Sequence, residues 1–74
     1  MGKITKTSAG VYELRQGDLA VSIKSYRKTD GAGFNGWVAA ADWDRHLYTD
    51  AMPTYGMAVA EAIRMIDNHV KQEG

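Results

Sequence analysis

The sequence predicts an α+β fold of two layers, an antiparallel sheet of four or five strands made of β-hairpins with one C-terminal helix packed across one face. Three stretches carry that expectation. Residues 11–15 and 19–26 flank Gln16-Gly17-Asp18 and alternate apolar with polar positions, the pattern of two strands joined by a tight turn. Residues 36–49, GWVAAADWDRHLYT, hold both tryptophans within the length of one further hairpin. From Tyr55 to about Lys71, Val59, Ile63, Ile66 and Val70 recur at spacings of four, three and four, which is the periodicity of an amphipathic helix.

Residues 3–7 alternate weakly and contain β-branched side chains, so they read as an edge strand or a loose arm, set off by Ser8-Ala9-Gly10. In the first hairpin a Gly17-Asp18 loop places Leu14 opposite Val21 and Tyr12 opposite Ile23, with Gly and Asp supplying positive φ values. The apolar pairing supports the same register. Tyr12, Leu14, Leu19, Val21 and Ile23 then form a core face. Residues 26–28 continue the strand towards a glycine-rich loop at 29–36.

In the second hairpin a two-residue loop at Asp44-Arg45 puts Trp43 opposite His46 and Ala41 opposite Tyr48. One face then carries Trp37, Ala39, Ala41, Trp43, His46 and Tyr48, and the other Val38, Ala40, Asp42, Leu47 and Thr49. Burying two tryptophans and Tyr48 removes more apolar surface from water than burying Val38, Ala40 and Leu47. At about 25 cal/mol per Å2 the difference is several kcal/mol, so the helix is expected to cover the tryptophan face, with Trp37 and Trp43 in the core against Val59, Ile63 and Ile66. Pro53 and Thr54 mark the helix start. Ala39 and Ala41 between the two tryptophans make a trough into which a helix can settle, Ala58 and Ala62 beside the apolar stripe are the matching small residues on the helix, and Glu61, Arg64, Asn68 and Lys71 take the opposite side.

A chain of 74 residues has room for one small domain, 1–74, of marginal stability. It contains no Cys, which excludes disulfides and thiolate metal cages. Nine basic residues balance nine acidic ones, and the sequence pI is ≈ 6.7, unlike the strongly basic balance of a typical nucleic-acid binder. The first residues, MGKITKTSAG, lack the apolar run of a signal peptide and the Ser or Thr of a myristoylation motif. No stretch approaches a membrane span. A soluble, cytoplasmic protein with no membrane partner is the expectation.

Residues 31–38 spell G-x-G-x-x-G-x-V, as phosphate-binding loops do, but a dinucleotide site needs a helix opening at the glycines and this segment runs into a strand. The lysine and catalytic elements of a kinase are missing too. Asp42, Asp44, His46 and Asp50 are the densest group of potential ligands. Read as a calcium loop from Asp42, the run has Leu47 where glycine belongs and Pro53 where the bidentate glutamate belongs. His46 beside Asp44 or Asp50 has the makings of a general base, yet no nucleophile with a supporting motif accompanies it. His69 near the helix end suits a cation at the last turn. No catalytic residue, cofactor site or metal site is therefore assigned, and the protein is expected to be non-enzymatic.

Two binding functions remain. With the helix on the tryptophan face, the open face holds Val11, Ala20, Tyr26, Val38, Ala40 and Leu47 among Glu13, Arg15, Lys24 and Asp42, an apolar centre with a mixed-charge rim suited to a protein contact or a homodimer seam. Val11, Lys24, Tyr26, Arg27, Lys28, Val38 and Leu47 are the candidate partner-facing residues. A small phage or mobile-element protein that modulates a host protein fits this size and charge. The alternative is a small nucleic-acid-binding module using Lys24, Arg27 and Lys28 with Tyr26, since phosphates require clustered cations and bases stack on rings. The order of strands and helix, with GWVAAADW in a central strand, is similar in outline to the arm-site DNA-binding domains of phage integrases, which implies the same alternative, although the strongly basic sheet of such a domain is absent.

Because the ligand spacing fails at residues 42–53 and at the glycine-rich loop, neither Mg2+, Ca2+ nor ATP is expected to alter the melting temperature. A rise of several degrees in a thermal melt with any of them would show a native-state site.

Overall fold

The computed structural model describes residues 2–27 and 35–73. Its organising element is the hairpin of β2 (Val11–Gln16) and β3 (Leu19–Tyr26), which pair antiparallel with Leu14 opposite Val21 and Tyr12 opposite Ile23. This is the expected register. Gly17 alone supplies the positive φ of the turn, at 62°, and no described non-glycine residue has one. Asp18 therefore does not share that role, and the turn follows the type II′ pattern with glycine in the first central position.

β1 (Lys3–Ser8) pairs antiparallel with β2, so the N-terminal segment is an edge strand rather than a loose arm. Its register shifts between Lys6 and Ser8, a bulge that ends regular pairing at Thr7. β4 (Gly36–Ala41) pairs with the other side of β3, giving a four-stranded antiparallel sheet in the order β1-β2-β3-β4. Most of the glycine-rich loop, and Lys28, lie outside the described residues.

The second hairpin departs from expectation. β4 ends at Ala41, and the turn is closed by the Leu47 N–H donating to the Asp44 carbonyl at 3.0 Å, while the His46 N–H donates to Asp44 Oδ1 at 2.9 Å. Asp favours the first position of such a four-residue turn because its carboxylate accepts the amide two residues on. The longer turn slips the register by one residue, so that Tyr48 faces Ala40 and not Ala41. A one-residue slip sends every side chain to the other face. Tyr48 thus leaves the tryptophan face for the open one. Further along, Trp37 pairs with Met52 through two reciprocal backbone hydrogen bonds of 2.8 Å, so the return segment carries one more residue than β4 over this interval, as a bulge requires. The chain passes so close here that a Cβ on Gly36 would lie 3.0 Å from the Met52 carbonyl oxygen.

The helix α1 (Tyr55–Glu73) starts where Pro53 and Thr54 place it. The Met57 N–H donates to Thr54 Oγ1 at 3.2 Å, a side-chain cap for one of the free amides of the first turn. α1 covers the tryptophan side of the sheet, as expected, and packs on β3 and β4 more than on β2. Its phase differs. Ala58, Ala62, Met65 and Ile66 are buried, whereas Ile63 and Val70 are both 47% exposed. The reason is steric: alanines let the helix axis approach the sheet closely, so the alanine stripe turns inward and Ile63 and Val70 rotate to the flank. Glu61 and Arg64 pair on the outer side at 3.2 Å.

The core joins Leu14, Val21, Ile23 and Ala39 of the sheet to Ala58, Ala62, Met65 and Ile66 of the helix. Trp37 and Trp43 pack against it but are only partly buried, so they frame the core rather than fill it. Trp37 meets Tyr12 and Tyr55, with ring centroids 6.1 and 5.2 Å away, and Tyr12 and Tyr55 are 4.9 Å apart. Such tilted and edge-on pairs add about 0.5–1.5 kcal/mol each beyond area burial. Trp43 lies 5.0 Å from the His69 ring instead of against Ile63.

The helix phase has a direct test in urea unfolding. Ile66→Ala, which empties a site 1% exposed, is expected to cost about 2–5 kcal/mol. Ile63→Ala on the flank is expected to cost less than about 1 kcal/mol. Equal losses would contradict the assigned phase.

Candidate functional site

The face of the sheet away from α1 is composed by strand register. One row across it reads Thr5, Glu13, Ser22, Ala40 and Tyr48, each opposite the next. The neighbouring row reads Val11, Lys24 and Val38. On the other flank lie Lys3, Arg15 and Ala20, and the Asp42 N–H extends the ladder by donating to the Ala20 carbonyl at 2.9 Å.

Register therefore brings Val11, Lys24 and Val38 together as expected, with Tyr26 two residues beyond Lys24 at the same end of the sheet. Val11, Tyr26 and Val38 are half-buried, and Lys24 and Arg27 are exposed. Lys28 lies outside the described residues. Leu47 does not join the group. The register slip that brings Tyr48 to the open face sends Leu47 to the helix side, where it lines a shallow hollow with Trp43, Met65 and His69. Tyr48 takes its place on the open face at 63% exposure.

The electrostatics of this face are mixed. Arg15 pairs with Glu13 at 2.7 Å, with both side chains partly exposed, so the pair is worth at most about 1 kcal/mol. It also occupies the face's own cation near Glu13. Val38, Ala40 and Tyr48 supply apolar surface on β4 and the return segment, Ser22 and Thr5 supply neutral polar groups, and Lys24 stands between Val38 and Val11.

The candidate chemical groups are not brought together. Asp44 engages the backbone of His46, and all four of Asp42, Asp44, His46 and Asp50 are exposed. Among the described residues, no group of three or more His, Asp or Glu is placed to hold a metal ion. Among the described residues no helix is long and apolar enough to cross a membrane. On the helix side a second concavity, of ≈ 520 Å3, runs between the sheet edge and α1 and is lined by Gly2, Ile4, Leu14, Gln16, Ile63 and Asp67.

Two residues escaped the sequence reading. Tyr48 was placed on the covered face, although Asp44, a favoured first residue for a four-residue turn, was the available signal for a longer loop. Met52, which pairs with Trp37 and packs on the core, carries no signal in the sequence beyond its place just before Pro53. The chain matches no protein-family model, and comparisons with curated proteins and with solved structures found no match.

Proposed function

We propose that this protein is a non-enzymatic binding protein that engages a protein partner through the open face of its sheet. The observation that supports this best is the patch of Val38, Ala40 and Tyr48 left uncovered by the single helix. Apolar groups from Val38, Ala40 and Tyr48, with Lys24 between Val38 and Val11 and with Glu13 and Arg15 nearby, resemble protein contact surfaces, which are enriched in aromatic residues and interleave apolar with charged groups. Its small size and balanced charge suit a phage or mobile-element protein acting on a host protein.

One observation favours a second reading, as a nucleic-acid-binding module. Tyr48 stands exposed on the face that also carries Lys24 and Tyr26, and exposed rings beside cations are the elements of base stacking. Glu13 and Asp42 on or next to the same face oppose it, since both repel phosphate.

Immobilised protein incubated with nuclease-treated lysate is expected to retain a specific protein, and Val38→Glu with Tyr48→Ala is expected to abolish retention while leaving the unfolding curve in place. Retention unchanged by those substitutions would move the binding surface elsewhere. Sub-micromolar binding to an oligonucleotide at about 150 mM salt, with a steep salt slope lost on Lys24→Ala and Arg27→Ala, would replace the protein partner with nucleic acid.

A further inference from the structure

The two edges of the sheet are treated differently. Beyond β4 the return segment covers the edge, through Ala41 N–H to Leu47 O, Thr49 N–H to Ala39 O and the reciprocal Trp37–Met52 pair, at 2.8 to 2.9 Å. A further bond runs from the Ala39 N–H to Thr49 Oγ1 at 3.1 Å. Beyond β1 no described segment pairs. An open edge is a template for another strand, and here the concavity beside α1 adjoins it, with Ile4 40% and Ile63 47% exposed.

We propose that the occupant is a second copy of this chain, joined β1 to β1 about a two-fold axis with Ile4 opposite Ile4. The self-complementarity of the edge selects this arrangement. A two-fold axis perpendicular to the sheet keeps both helices on one side and makes the strands antiparallel, so residues pair at even sums of their numbers. Centring the axis on Lys3 sets Lys3 against Lys3, and centring it on Lys6 sets Lys6 against Lys6, both repulsive. Centring it on Thr5 places Lys6 over Ile4 and runs the pairing into the bulge at Thr7. Centring it on Ile4 pairs residues 2–6 only, stops before the bulge, and brings the two exposed isoleucines together.

Charge complementarity supports the same register. Ile4 and Lys6 lie on the helix side of β1, opposite Leu14 and Tyr12. With Ile4 on Ile4, Lys6 of each copy faces Gly2 of the other, and Gly2 shares the concavity with Asp67. Each Lys6 stem then crosses the apolar trough and carries its ammonium towards Asp67 of the other copy. Two such pairs form, one on each side of the axis. The lysines on this edge thus forbid some registers and reward one. The result is an eight-stranded sheet whose two open faces form one continuous surface, so the seam is separate from the binding face proposed above and doubles it.

The natural chain has no cysteine, so single cysteines report the register cleanly. Facing residues in an antiparallel pair have Cα atoms about 4.5–5.5 Å apart, within disulfide range. Under mild oxidation Ile4→Cys is expected to form a disulfide dimer rapidly, whereas Thr5→Cys, which faces Lys3, is expected to stay largely uncrosslinked. In sedimentation equilibrium the unmodified chain is expected at twice its monomer mass at micromolar concentration. Lys6→Asp and Asp67→Lys are each expected to weaken the dimer at least tenfold, and the double exchange to restore it. A monomer throughout, equal crosslinking of both cysteines, or failure of the exchange to restore association in a folded protein would overturn the seam.

Discussion

The close seating of α1 on β3 and β4 is the constraint on which the other features depend. Ala39, Ala58 and Ala62 are fully buried together with Val21 and Ile23. Three alanines at one contact let backbone approach backbone, and large side chains are excluded there by volume. The apolar bulk is displaced to the ends of the contact, where Tyr12, Trp37 and Tyr55 cluster at one end and Trp43 meets His69 at the other. Small residues in the middle and rings at the ends hold a single 19-residue helix in one position along the sheet.

Close seating centred on β3 and β4, with β2 contributing Leu14 and Tyr12, also leaves the outermost strand β1 uncovered. One helix cannot cover four strands, so the helix side of β1 stays open and Ile4 faces Ile63 across a trough. The same seating leaves the opposite face of the sheet without a helix, although Ala20, expected on that open face, is only 3% exposed. The far edge is handled by the chain itself, because residues 47–52 run back along β4 and satisfy its outward amides and carbonyls. An unsatisfied or exposed ladder invites pairing, so the distribution of free surface in this protein is set by where its one helix lies.

Much of this was legible in the residues. Gly17 and the apolar alternation around it specified the first hairpin and its register, because turn geometry and burial pattern agreed. Pro53 and Thr54 located the helix start through cap chemistry alone. The choice of covered face followed from tryptophan area. The helix phase was legible in part: Ala39, Ala41, Ala58 and Ala62 marked the contact by their size and are all buried, whereas the periodicity argument weighted Ile63 and Val70 by hydrophobicity and turned them inward, where close packing leaves them no room. The second turn was not legible, because the Asp44 side chain and the two-residue alternative compete locally and a single residue decides whether Leu47 or Tyr48 reaches the open face. Of the candidate site, Val11, Lys24 and Val38 were recoverable because they sit in regular strands, and Leu47 was not because it follows an irregular turn.

Urea unfolding of alanine-to-leucine variants measures the seating of the helix directly. Ala58→Leu and Ala62→Leu add volume at the closest point of contact and are expected to lower stability by about 1–3 kcal/mol or more. Ala60→Leu, on the exposed side of the same helix, is expected to leave stability within about 0.5 kcal/mol. If all three variants behaved alike, or if Ala62→Leu stabilised the protein, the alanine contact would not be what positions the helix.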